Sequence, residues 1–96
     1  MKYIAYWKFD VKDWEKTTEL SNQFSEERKK EPKKYTRPIS DNYYTGSGEG
    51  FRLVEADTEE QLINSEAFFI PFAVFRFVPL FDTAKTTAAM RERMKK

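Results

Sequence analysis

Lys8, Arg52 and Arg76 alternate with apolar residues in segments rich in strand-forming side chains, and a period of two sets them on one face with Tyr6. Cations gathered on a partly apolar surface hold a carboxylate or phosphate through charge-assisted hydrogen bonds. The plainer alternative puts them at a rim, paired with acids such as Glu55 or with a second subunit. Without an internal carboxylate in reach, their desolvation favours an anion from solution. The ligand this pattern predicts is small and anionic or aromatic.

Composition excludes much other chemistry. The chain has no Cys and no His among its 96 residues. Thiolate nucleophiles, imidazole bases, disulfides and the usual zinc, iron–sulfur and haem ligands are ruled out with them. Asp57, Glu59 and Glu60 cluster where a helix begins, and the helix dipole explains them better than a hard cation does. No metal and no cofactor is expected. A net charge of +1, from 17 bases and 16 acids, gives no general attraction to nucleic acid or to an anionic membrane. Gly46, Gly48 and Gly50 are spaced as a hairpin turn followed by a strand, and a phosphate loop would be followed by a helix. Glu26 to Lys34 interleaves bases and acids and reads as a solvated helix end and loop.

The elements that must position these residues form one domain spanning 1–96, with 40% hydrophobic and 17% aromatic residues to fill a single core. No apolar run reaches the length of a membrane helix and no leader is evident, so a cytoplasmic protein is expected. Residues 3–9 read as a strand, and Asp10 caps a helix over Val11–Lys30 whose stripe is Trp14, Thr17, Leu20 and Phe24. A loop with two prolines covers 31–38. Strands Ile39–Thr45 and Gly50–Ala56 flank the glycine turn. Thr58-Glu-Glu-Gln61 is a capping box that starts a helix ending near Pro71. Ala73–Leu80 is the last strand. Asp82 or Thr83 then caps a helix through Ala84, Ala88, Met90 and Met94, with Arg91, Arg93, Lys95 and Lys96 at its negative end.

This order predicts an α+β, ferredoxin-like βαββαβ fold: a four-stranded antiparallel sheet, both helices on one face, and an extra C-terminal helix. Parity assigns Tyr3, Ala5, Trp7, Phe51, Leu53, Ala73, Phe75 and Phe77 to the covered face. Ile4, Tyr6, Lys8, Arg52, Val54, Val74, Arg76 and Val78 fall on the other, which is too apolar to be left in water. A homodimer joined through Ile4, Tyr6, Val54, Val74 and Val78 is the expected cover.

Three stretches carry a family resemblance: Met1–Lys8, the Gly46–Glu55 hairpin running on to Leu62, and Phe75–Asp82. With them the chain resembles, nearly end to end, a family of small bacterial and archaeal proteins of unknown function in the dimeric α+β barrel superfamily. That family often has Trp-His at the end of the second strand, where this chain has Tyr43-Tyr44, so no imidazole-dependent role carries over. The resemblance implies a two-fold dimer through the open sheet faces and no established activity. Wider relatives include cofactor-free and haem-degrading monooxygenases, ligand sensors and structural modules. Trp7, Asn42 and Tyr44 are similar to the Trp, Asn and Tyr groups that cofactor-free monooxygenases place around an aromatic substrate, although Trp7 also suits a plain core position.

The sequence therefore leads to a homodimeric small-ligand-binding or structural module, with Tyr6, Lys8, Arg52, Arg76, Asn42 and Tyr44 as candidate ligand residues. A cofactor-independent, monooxygenase-like small enzyme is the alternative. An RNA-binding ferredoxin-like domain comes third: Glu49–Ala56 faintly resembles the third-strand motif of RNA-recognition modules, but lacks its basic first position and later aromatics. Between Asp41 and Phe68, moreover, Arg52 is the only base among seven acids. No nucleic acid or membrane partner is expected.

Overall fold

Residues 1–95, described by a computed structural model, form an open antiparallel sheet of five strands with three α-helices. Strand β1 is Lys2–Phe9, and a single 3-10 turn, Val11–Asp13, leads into helix α1, Trp14–Lys30. Asp10 starts that turn by accepting the Lys12 amide at 3.1 Å. Strands β2 (Arg37–Pro38), β3 (Tyr43–Gly46) and β4 (Glu49–Glu55) follow, then α2 (Glu59–Phe69), β5 (Ala73–Leu80) and α3 (Thr83–Met94). The sheet order is β2–β4–β1–β5, and β3 also pairs with β4. Lys96 lies outside the described residues. No helix among the described residues is long and apolar enough to cross a membrane.

Local signals in the sequence are realised at the element ends. Ser47 and Gly48, with φ of 55° and 76°, form the two-residue turn between β3 and β4, as a hairpin with native strand twist requires. The capping box is complete: Thr58 Oγ1 accepts the Gln61 amide at 3.3 Å and Gln61 Oε1 accepts the Thr58 amide at 3.4 Å. Gln61 is buried, and its Nε2 donates to the Lys33 carbonyl at 3.0 Å, tying the loop after α1 to α2.

One strand expected between Ile39 and Thr45 is two strands with a break. Arg37 and Pro38, expected in the loop, pair with Glu55 and Val54, after which Pro38 offers no amide to extend the ladder. Ser40 then takes a ladder position with its side chain, its Oγ accepting the Leu53 amide at 2.8 Å. Regular pairing resumes at Tyr43 opposite Phe51.

The register of β4 corrects a second expectation. Tyr3, Ala5 and Trp7 stand across from Val54, Arg52 and Gly50, and Ala5, Trp7 and Phe9 from Phe77, Phe75 and Ala73 on β5. Arg52 and Val54 therefore belong to the helix-covered inner face. Phe51 and Leu53 belong to the outer one, beside Tyr6 and Ile4. Val54, expected at a dimer interface, is 4% exposed on the covered side.

Between the inner face and the helices lies the core of Phe9, Phe24, Tyr35, Phe69 and Ala73, with Leu20 and Phe75 packed against it. Phe24 is its centre, edge-on to Tyr35 at 5.1 Å and tilted against Phe69 at 5.3 Å. Such pairs add about 0.5–1.5 kcal/mol each beyond area burial. Helix α3 has no comparable support. Asp82 caps it by accepting the Lys85 amide at 3.0 Å, yet every residue from Phe81 to Lys95 is exposed. The radius of gyration, 16.1 Å, exceeds the roughly 12 Å of a close-packed chain this long, because α3 projects from the body.

Candidate functional site

Several small residues line the space between the inner face of the sheet and α1. Ala5 and Ala73 on the sheet and Thr17 and Ser21 on α1 border one space, where larger side chains such as Leu or Ile would fill more of it. The result is a cavity of about 210 Å³ between the sheet and α1. Its wall is mostly apolar, completed by Phe24, Phe69, Phe75 and Phe77. Thr36 and Ser65 on another side satisfy each other, with Oγ1 and Oγ 3.2 Å apart and the Thr36 amide donating to Ser65 Oγ at 3.0 Å.

One part of the wall is aromatic. Trp7 both packs against the core and lines the cavity, half-buried and stacked on Phe9 at 5.7 Å. Gly50 is the reason it lies there: a Cβ at this position would collide with the Trp7 ring and the Tyr43 carbonyl. With no side chain between them, Trp7 and Tyr44 stack across Gly50 at 6.2 Å. Trp7 Nε1 donates to Asn42 Oδ1 at 3.1 Å, and both residues line the cavity. Trp14 from α1 meets Phe9 and Tyr44 edge-on at 5.4 and 5.5 Å.

Another part is cationic. Arg28 from the last turn of α1 and Arg52 from β4 both line the cavity. Arg52 Nε donates to the Ser40 carbonyl at 3.0 Å, and the Arg28 guanidinium lies 5.4 Å from the Phe24 ring centre. Neither makes an ion pair among the described residues. Burial lowers the Arg28 pKa from its ordinary value. Burial, then repulsion by Arg28, does the same to Arg52, partly offset by Asp41. Both stay charged near neutral pH, since a guanidinium does not deprotonate there. Thr17, also on the wall, has a buried Oγ1 with no hydrogen-bond partner among the described residues.

The structure divides the predicted site residues. Tyr6, Lys8 and Arg76 are on the outer face, where the Arg76 guanidinium sits 4.6 Å from the Tyr6 ring centre. Arg52 is on the inner face, so the predicted four-residue cluster does not form. Asn42 reaches the cavity wall; Tyr44 stacks on Trp7 and accepts the Gly48 amide at 2.9 Å on its hydroxyl. Sequence reasoning missed Arg28, which it placed in a solvated run, although Arg28 continues the Trp14, Thr17, Ser21, Phe24 stripe at helical spacing. Among the described residues no three His, Cys, Asp or Glu side chains gather as a metal site.

Residues 1–94 match the model of a family described as a domain of unknown function, DUF3303. No curated protein and no solved structure matches the chain.

Proposed function

The chain belongs to the DUF3303 family, and from that premise we propose that it is a homodimeric module binding one small organic molecule in the cavity between its sheet and α1. The cavity carries this reading: at about 210 Å³ it exceeds the roughly 150 Å³ that suffices for benzene in an apolar protein interior. A substituted single ring is the size that suits it. The strand order β2–β4–β1–β5, with α1 and α2 on one face, supports the ferredoxin-like plan and a place in the dimeric α+β barrel superfamily. Titration with neutral single-ring compounds, followed by tryptophan fluorescence and amide NMR shifts, tests the cavity. Shifts should fall on the amides of Ala5, Val54 and Ala73, and Ala5→Ile should abolish them. Shifts confined to the outer face, or unaffected by that substitution, overturn the reading.

Dimerisation is proposed through the outer face, now without Val54 and Arg52. Ile4, Tyr6, Val74 and Val78 supply apolar area, with Val74 57% exposed. Lys8 opposite Glu49 and Lys2 opposite Glu55 supply charges of both signs that a two-fold partner can meet. Light scattering should give twice the 11.5 kDa chain mass. The row Tyr43–Phe51–Tyr6 across the same face speaks for RNA stacking, but flanking Glu49 and Glu55 speak against it, and the dimer accounts for both.

The second reading, a cofactor-independent monooxygenase, is favoured by the hydrogen-bonded Trp7–Asn42 pair on the cavity wall. Oxygen uptake with dihydroxyaromatic substrates tests it. A rate no faster than in buffer ends it.

A further inference from the structure

Resting on the cavity reading, we infer that the ligand is an apolar carboxylate, its ring against the Trp7 and Phe9 side of the cavity and its carboxylate between Arg28 and Arg52. Two cations line one small chamber, and among the described residues neither is paired with a carboxylate. Of the acids near Arg28 in the chain, Glu26 pairs with Lys29 at 3.3 Å and Glu31 with Lys34 at 3.6 Å, and Glu27, directly beside it, forms no ion pair with it among the described residues. Asp41 acts on Arg52 from a distance without forming an ion pair. Lys29 and Lys30, both exposed in the last turn of α1, already complement that helix's dipole, so the dipole does not require an inward-facing Arg28. Desolvated cations that repel one another are stabilised by an anion between them.

The shape of the site narrows the anion. Guanidinium groups donate to the two oxygens of a carboxylate from a planar fork. The unpartnered Thr17 hydroxyl lines the cavity about three turns nearer the start of α1 than Arg28 and offers a donor away from the carboxylate. Beyond these groups, Asn42 and the hydroxyls of Thr18, Ser21, Ser25, Thr36 and Ser65, the surface is largely apolar, and a dianionic phosphate would leave more oxygens without donors than a carboxylate does. The ligand class is therefore an aromatic or short aliphatic monocarboxylic acid.

Calorimetric titration of the full chain with benzoate, benzamide and phenyl phosphate separates this inference from the cavity reading beneath it. Benzoate should bind at least tenfold more tightly than benzamide and more tightly than phenyl phosphate. Arg52→Met and Arg28→Met should each remove that preference, and the outer-face change Arg76→Gln should leave it intact. Equal affinity for benzoate and benzamide in the parent protein overturns the carboxylate and leaves the cavity reading standing. Tighter binding of phenyl phosphate overturns the carboxylate in favour of a phosphoryl group. Failure of all three to bind overturns both. The parent comparison decides the matter even where an arginine variant does not fold.

Discussion

On the outer face of the sheet Lys8 stands across from Glu49 and Lys2 from Glu55, while on the inner face Arg52 stands across from Ala5. The same two strands carry both sets. Outside, Lys2 and Lys8 are exposed with acids opposite them in register, and Arg76, also exposed, has the Tyr6 ring. Inside, Arg52 has one backbone carbonyl, a second arginine and apolar walls. A cation is thus interpreted by what surrounds it: water can satisfy the exposed outer ones, and the half-buried inner pair, Arg52 on β4 and Arg28 on α1, lacks a carboxylate among the described residues.

The largest expected effect contrasts packing on the two faces. Phe24→Ala, at the centre of the covered core, should destabilise the domain by about 3–5 kcal/mol in urea denaturation. Val74→Ala, on the exposed face, should cost less than about 1 kcal/mol at concentrations where the chain is monomeric. Similar losses would mean that the outer face is as well packed as the inner. A smaller effect of opposite sign is expected from Arg52→Met. Methionine occupies similar space without the cost of desolvating a charge, so stability without ligand should rise by up to about 1 kcal/mol. A loss greater than that would show the Ser40 hydrogen bond outweighing the charge.

The smallest effect sharpens the contrast from the outer rim, where Arg37 donates to Asp57 at 3.1 Å and to Glu55 at 3.0 Å. The hydrogen bonds from Arg37, aided by its charge, hold the Asp57 carboxyl below its ordinary pKa. A depressed folded-state pKa contributes stability above the unfolded value of about 4, lost as the pH falls through the folded one. Carboxyl NMR titration should find the Asp57 midpoint below that value, and Arg37→Ala should move it up. An unmoved midpoint would remove Arg37 as the cause.

What the sequence revealed and what it hid divide by the range of the interaction. The capping box at Thr58, the Asp82 cap and the turn at Ser47-Gly48 depend on residues within four positions of one another, and all were legible. The parity of β4 was not. Phe51 and Leu53 are more apolar than Arg52 and Val54, so hydrophobicity alone assigns them inward, yet a register fixed 45 residues away, partly by Gly50 making room for Trp7, turns them out. The cavity was hidden for a related reason. Small residues from three segments, Ala5, Ala73, Thr17 and Ser21, line it, and nothing within any one segment records that they border the same space.

The middle position of β1 has a consequence for synthesis. Strand β1 leaves the ribosome before either of its neighbours, yet it needs β4 on one edge and β5 on the other, with Lys2 waiting for Glu55 and Leu80. Until translation reaches those residues, a run of Tyr, Ile, Ala, Tyr and Trp has two open backbone edges. A nascent chain stopped before Ala73 keeps one of them unpaired. Such fragments should recruit chaperones or aggregate, and the quantity of soluble protein a cell makes should depend on how quickly the ribosome delivers the last strand.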